Sequence, residues 1–172
     1  MEFSASGLRT MGFEGPVAIS ELGRTRCACV PEEAGVYVVL LPSLFRVTFL
    51  EVSTGGRPKR RGRRRDPSVS RQRLQEEWVE GASVIYIGRA SKTESTDLRK
   101  RLQDFIAFGQ GRPIGHWGGR LTWQIADASD LLIAWLPTDC YRKTEADMLS
   151  EFERQYKALP FANLQRGSAS SP

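Results

Sequence analysis

Four residues along the chain have side chains suited to the chemistry of a phosphate ester: Tyr37, Tyr86, Arg101 and Glu145. Hydrolysis of a phosphodiester needs a water in line with the leaving oxygen and stabilisation of charge on the phosphoryl oxygens. A tyrosine hydroxyl can orient that water or accept its proton, and an arginine offers a rigid fork to phosphate. A carboxylate can hold a divalent cation. These residue types together are sufficient for phosphodiester cleavage.

The segment VIYIGRA, residues 84–90, places a glycine and an arginine directly after an apolar run that contains Tyr86. Glycine permits close approach to the backbone because it has no side chain. We therefore expect this segment to present the Tyr86 hydroxyl, and an open backbone at Gly88, to a phosphate.

The single histidine, His116, lies in the glycine-rich stretch GHWGGR. Its imidazole could act as a general base or bind a phosphate. The alternative is that this histidine only makes a backbone hydrogen bond within the loop. Arg112 and Arg120 flank it and are candidates for contacts with a DNA backbone.

The positive charge of the protein is concentrated in one short segment. The chain has a net charge of +5, but residues 57–73 alone carry +8, which leaves −3 for the rest. Such a run attracts polyanions in a strongly salt-dependent way; the alternative is a solvated arm without a partner. The arginines predicted to bind nucleic acid are Arg60, Arg61, Arg63, Arg64, Arg65, Arg89 and Arg99.

The elements that must position these residues indicate an α/β (α+β) fold, with a small, mainly antiparallel central sheet flanked by helices. Apolar and β-branched runs predict strands, and RLTWQIA and LLIAWLP are expected to form a hairpin. The predicted strands are 36–41, 45–52 and 82–88 and the two hairpin arms.

Helices are predicted from apolar spacing and capping residues. The first is a short piece at 17–22, and the second spans 70–79 with Ser70 as its cap. The third ends at about residue 108, with Ser95 or Thr96 as its cap, and the last covers about 143–158.

We expect one domain over residues 13–165, between a disordered N-terminus (1–12) and a disordered tail (166–172). An insert at 42–81 contains a basic loop at 57–65.

Several motifs, in order, resemble those of the GIY-YIG nuclease superfamily. Gly35-Val36-Tyr37 and Tyr86-Ile87-Gly88 resemble its paired signature. The segment 98–102 resembles its L-x-x-R-[LV] helix, 145–152 its E-x-x-[LM]-[LI]-x-x-[FY] helix, and 160–163 its closing P-x-x-N. The resemblance covers about residues 30–164. The chain departs from the usual pattern because Tyr37 and Tyr86 are 49 positions apart, although some restriction endonucleases of the superfamily also carry long insertions.

The resemblance implies a role for each matching residue. Glu145 would be the ligand of Mg²⁺ (or Mn²⁺), Arg101 the phosphate clamp, and Tyr37 the positioner or base for the water. Tyr86 would assist, and which tyrosine is the base stays open. His116 is similar to a histidine that acts as a general base or binds the scissile phosphate in some restriction enzymes of this superfamily.

Gly88 and Asn163 are expected to brace the site. Glu151 also fits the spacing before Asn163. It lies six positions after Glu145, about 120° around a helix, so both carboxylates cannot occupy one site. Glu145 is favoured.

The expected function is a metal-dependent DNA endonuclease, with RNA not excluded as substrate and a homodimer expected if it makes double-strand breaks. The alternatives are a non-catalytic nucleic-acid-binding module and a regulatory protein-interaction domain. The sequence contains no apolar run of about 20 residues and no secretory signal. We therefore expect no membrane partner and a cytoplasmic location, nucleoid-associated in a bacterium. The cysteines, Cys27, Cys29 and Cys140, lack the paired spacing of a zinc site.

Overall fold

A computed structural model describes residues 1–164, apart from the side chain of Arg60. Its centre is a four-stranded sheet of β1 (Glu14–Ala18), β2 (Gly35–Leu40), β5 (Val84–Ala90) and β6 (Leu132–Pro137). The strand order is β1-β6-β2-β5, and all three neighbouring pairs are antiparallel. The predicted fold class, α+β with a mainly antiparallel sheet, is confirmed.

The two faces of the sheet carry separate cores because side chains alternate along each strand. Tyr37 and Val39 of β2 face α2 (Ile19–Arg24) and α4 (Leu98–Gly109). Val36 and Val38 face α1 (Ala5–Thr10) and α5 (Tyr141–Tyr156). Burial on both faces accounts for the continuous apolar run of β2, all six residues of which are buried.

The N-terminus is ordered, so the prediction of disorder over residues 1–12 is wrong. Ser4 caps α1 by accepting a hydrogen bond from the Gly7 amide at 3.0 Å. Leu8 is buried, and Phe3 packs edge-on against Phe152 of α5 at 5.0 Å. These apolar contacts anchor the segment against one face of the sheet.

Two predicted strands do not form. Residues 45–52 make only an isolated bridge, between Phe49 and Ile125. RLTWQ, the first arm of the predicted hairpin, is instead a 3₁₀ helix, Arg120–Gln124, preceded by Gly119 at φ +71°. The backbones of the two irregular segments hydrogen-bond to each other, for example from the Leu50 amide to the Gln124 carbonyl at 2.9 Å. Alternating hydrophobicity predicted burial of these segments but not their backbone partners.

The basic loop contains a two-stranded hairpin of β3 (Lys59–Arg60) and β4 (Arg63–Arg64). Its turn residues, Arg61 and Gly62, have φ of +51° and +78°. Positive φ at both positions is the requirement of the tight turn that best matches strand twist. The prediction of an irregular loop gave too much weight to charge repulsion, which in water costs about 1 kcal/mol or less for two charges 4 Å or more apart.

The helices agree with the predictions more closely. Ser70 caps α3 (Arg71–Glu77) as predicted, by accepting from the Arg73 amide at 3.2 Å. The cap of α4 is Asp97, not Ser95 or Thr96. The 17–22 piece is divided between β1 and α2.

The predicted disordered tail, 166–172, lies outside the described residues. Within residues 1–164, no helix has the length and apolarity to cross a membrane.

Candidate active site

The two tyrosines meet on one face of the sheet because β2 and β5 are hydrogen-bonded neighbours. Tyr37 pairs with Gly88 and Val39 pairs with Tyr86, so the tyrosines lie diagonally across the strand pair. Their ring centroids are 5.9 Å apart. Phe105 of α4 packs against both rings, at 6.2 Å from Tyr37 and 6.1 Å from Tyr86.

The structure corrects the expectation of an open backbone at Gly88. A Cβ added there would lie 2.6 Å from Cζ and 2.8 Å from the hydroxyl oxygen of Tyr37. The phenol of Tyr37 therefore fills the space that glycine leaves. Gly88 allows the neighbouring tyrosine to lie across β5, and it does not present backbone to a phosphate.

His116 contacts the same tyrosine. Its Nε2 lies 3.4 Å from the Tyr37 hydroxyl, and its ring packs on Phe105 at 5.2 Å. The residue is 1% exposed. Burial, and then the nearby Arg101 charge, hold the pKa of His116 well below 6.5. The imidazole is therefore neutral near pH 7, and a neutral imidazole can accept a proton.

Arg101 of α4 brings positive charge to the two phenols. The charge of its guanidinium opposes the effect of burial on the pKa of both tyrosines. Burial raises the pKa of Tyr37, while Arg101 and a hydrogen bond from Tyr86 act in the opposite direction. Burial, and then Tyr37, raise the pKa of Tyr86 well above its usual value. Both phenols are protonated near neutral pH, and the neighbours favour ionisation at Tyr37 over Tyr86.

Two buried nitrogen atoms at this site have no hydrogen-bond partner within residues 1–164. They are Nε of Arg101 and Nδ1 of His116. Buried polar groups are rarely left unpaired, and such groups often mark functional sites.

Glu145 lies in the first turns of α5, on the other face of the sheet from the phenols, and is 7% exposed. Arg89, at the end of β5, donates from Nη1 to Oε2 of Glu145 at 2.6 Å. Burial raises the pKa of Glu145, against the opposing effects of Arg89 and Arg101. The negative charge of Glu145 in turn raises the pKa of both tyrosines, which couples it electrostatically to their cluster.

Glu151 points elsewhere. It forms ion pairs with Arg154 at 2.7 Å and with the N-terminal amine at 3.5 Å. Hydrogen bonds from Arg154 and Gln155 lower the pKa of Glu151 to about 2. Of the two carboxylates that the sequence left open, Glu145 is therefore the one coupled to the tyrosines and Arg101.

Among the described residues, the only protein ligand offered here for Mg²⁺ is the carboxylate of Glu145, and one carboxylate is the smallest number that Mg²⁺ sites use. Within residues 1–164, no group of three or more histidine, cysteine or acidic side chains is arranged to hold a metal ion. Mg²⁺ usually keeps several waters and needs only one or two carboxylates besides substrate phosphates. Glu145 meets that requirement, since Arg89 engages only one of its two carboxylate oxygens.

Asn163 closes the exposed edge of β5. Its Oδ1 accepts from the Ile87 amide at 2.9 Å, and its Nδ2 donates to the Ile87 carbonyl at 2.8 Å. Unpaired groups on an edge strand otherwise bind water or another chain. This contact fixes β5 at the residue between Tyr86 and Gly88, consistent with the expected bracing role.

Apart from Arg60, whose side chain lies outside what the structure describes, the predicted nucleic-acid-binding arginines separate into three places. Arg99 bonds the Val30 carbonyl at 2.7 Å and Glu32 at 2.5 Å, so it ties α4 to the preceding loop. Arg89 is paired with Glu145, as above. The exposed members, in or directly after the hairpin, are Arg61, Arg63, Arg64 and Arg65.

Sequence reasoning missed Trp117. The guanidinium carbons of Arg65 and Arg120 lie 4.2 Å and 4.9 Å from the centre of its ring. Burial and then the charge of Arg65 lower the pKa of Arg120. The available signal was a tryptophan directly after the only histidine, in a loop flanked by arginines.

Comparisons with protein-family models, curated proteins and solved structures found no match to this chain.

Proposed function

We propose that this protein is a metal-dependent DNA endonuclease of the GIY-YIG type. The observation that carries the proposal is the cluster around the Tyr37 hydroxyl. Its members are Tyr86, Arg101 and His116, which come from a strand, a helix and a loop that are distant in sequence. An ordinary apolar core has no need for a phenol, a guanidinium and a neutral imidazole at one point.

Each member has a role in phosphodiester hydrolysis. Tyr37 orients the attacking water. Because this phenol is protonated near neutral pH, it can take the proton of the water only as it passes its own proton to a neighbour, and Arg101 and Tyr86 favour that loss. Neutral His116, 3.4 Å from the same hydroxyl, can accept that proton in turn. Arg101 stabilises the charge that develops on the phosphoryl oxygens.

Glu145 would hold the metal ion. When bound, Mg²⁺ (or Mn²⁺) would polarise the phosphate and lower the pKa of a coordinated water. Arg89 would then keep the carboxylate in position from its other oxygen.

Substrate access requires a rearrangement of Gly118 and Gly119, with His116 kept in place at Tyr37. Tyr37 and His116 are 0% and 1% exposed. A Cβ at Gly118 would lie 2.8 Å from the Tyr86 hydroxyl, so this loop packs directly on the phenol. Displacement of this short, glycine-rich segment would open the site.

The experiment is a cleavage assay on supercoiled plasmid, with Mg²⁺, Mn²⁺ or EDTA. We expect metal-dependent nicking or linearisation that Glu145→Gln abolishes while DNA binding is retained. Glu151→Gln is the matched control, since it makes the same change on the same helix but outside the cluster, and it should cleave normally. Activity retained in Glu145→Gln and lost in Glu151→Gln would reverse the assignment.

One observation favours a second candidate, a non-catalytic nucleic-acid-binding module. Glu145 is already ion-paired and the phenols are covered. That function predicts a salt-sensitive gel shift that does not require metal, with no cleavage by the wild-type protein.

A further inference from the structure

A groove of about 800 Å³ separates the basic hairpin from the loop that leads to His116. One wall carries Arg57, Lys59 and Arg64, and the other is formed by residues that include Gly111 and Gly115. Among residues 1–164, no acidic side chain lines it. Arg57 is paired with Asp66 at 2.9 Å, but no ion pair is found for Lys59 or Arg64 in the part of the chain that the structure describes. The groove is therefore positively charged.

The size of the groove limits its occupant. About 800 Å³ is the volume of a pocket for one drug-sized ligand. It can hold roughly one or two nucleotides of a single strand. Gly115 has open space around its Cβ position, which lets a sugar-phosphate backbone approach closely.

Both walls of the groove continue along the chain to residues at or beside the candidate active site. Gly115, in its wall, directly precedes His116, which contacts Tyr37. Arg64, in the opposite wall, directly precedes Arg65, which lies on Trp117. The Trp117 ring is half-buried, held by two guanidiniums, and next in sequence to His116.

We infer that this groove binds an unpaired stretch of a DNA strand, and that a base at its end stacks on Trp117 in place of one of the two guanidiniums, which turns to a phosphate. Proteins that bind single strands combine a positively charged groove for the backbone with aromatic faces for the bases. Arg65 and Arg120 take the flanking phosphates. The inference rests on the proposed function and narrows its substrate to DNA with an unpaired segment, such as a flap, bubble or single-stranded end.

The test measures binding without catalysis. Fluorescence anisotropy in EDTA compares a labelled single strand of about 10 nucleotides with the duplex of the same sequence. Trp117→Ala should weaken single-strand binding about tenfold and leave duplex binding nearly unchanged. Trp117→Phe keeps an aromatic face and should restore most of the single-strand affinity.

A matched pair of variants separates the groove from net charge. Arg63 and Arg64 are neighbours on one strand, both exposed, and only Arg64 lines the groove. Arg64→Gln should therefore weaken single-strand binding more than Arg63→Gln does. Far-UV circular dichroism would verify that each variant is folded.

Equal losses for Arg63→Gln and Arg64→Gln, or wild-type affinity in Trp117→Ala, would overturn the inference. So would a wild-type protein that does not bind the single strand. Failure of the nuclease proposal is distinguishable from these results. In that case neither the plasmid nor a labelled flap is cut in Mg²⁺ or Mn²⁺, while the selective loss of single-strand binding in Trp117→Ala persists.

Discussion

The contact between Gly88 and Tyr37 predicts how Gly88→Ala changes the stability of the protein, and the direction of that change distinguishes two explanations for the glycine in Tyr86-Ile87-Gly88. If Gly88 only exposed backbone to a substrate, Gly88→Ala would be neutral or stabilising for the free protein. Alanine reduces the conformational entropy of the unfolded chain, by about 0.4–1 kcal/mol. The structure predicts the opposite sign, because the new methyl group meets the phenol.

The magnitude follows from the geometry. The added Cβ would lie 2.6 Å from Cζ of Tyr37, whereas carbon atoms in contact prefer about 3.5–4.0 Å. Tyr37 is fully buried and packed against Phe105 and Tyr86, so its ring cannot move aside freely. Overpacking of this kind costs about 1–3 kcal/mol. After the entropic gain we expect a net destabilisation of about 1–2 kcal/mol.

The assay is urea unfolding, supported by thermal melting. For a chain of 172 residues the melting temperature should fall by roughly 2–8 °C. Gly115→Ala is the control, since its Cβ position has open space, and it should stay within about 0.5 kcal/mol of wild type. In a Tyr37→Leu background the same alanine meets no phenol, so a double-mutant cycle should show a coupling of about 1–2 kcal/mol. A Gly88→Ala protein as stable as wild type, with no coupling, would refute the reasoning.

Three other perturbations test the site and its surroundings. Asn163→Ala leaves the Ile87 amide and carbonyl unpaired and should cost about 1–3 kcal/mol in urea unfolding; an unchanged value would show that water replaces the amide. In the folded protein the pKa of His116 is well below 6.5, so below that pH the unfolded state binds more protons than the folded state. The free energy of unfolding should therefore rise with pH up to about 6.5, by at most about 1.4 kcal/mol per pH unit. His116→Gln should remove this rise, as measured by urea unfolding between about pH 5 and 7. A rise that persists in the variant would contradict the burial argument. The basic run can be neutralised by changing Arg60, Arg61, Arg63, Arg64 and Arg65. This should lower the slope of log affinity for DNA against log salt concentration by about 0.9 per lost phosphate contact. An unchanged slope would exclude the basic run as a DNA clamp.

Local sequence signals succeeded where one physical effect dominates a segment. The runs VYVVL and VIYIG became β2 and β5 because burial on both sheet faces requires continuous apolar residues. Ser70 caps its helix as predicted, since capping depends only on residues three positions apart. The signals failed at 45–52 and at RLTWQ, where the apolar pattern fitted a strand but the backbone found partners in an irregular neighbour.

For the candidate site, the sequence by itself determined which residue types were available and placed both tyrosines on buried strands. It left open whether Glu145 or Glu151 is electrostatically coupled to them, because a helix of known pattern can pack in more than one orientation. Only the tertiary structure decided that. Packing of α5 against the sheet sets Glu145 beside Arg89 and turns Glu151 towards the N-terminus. It also decided that Gly88 accommodates Tyr37 and that Trp117 lies beneath Arg65. These contacts join residues far apart in the chain, and no local propensity encodes them; they follow from the antiparallel register of β2 with β5 and from the way the basic segment folds back onto the His116 loop.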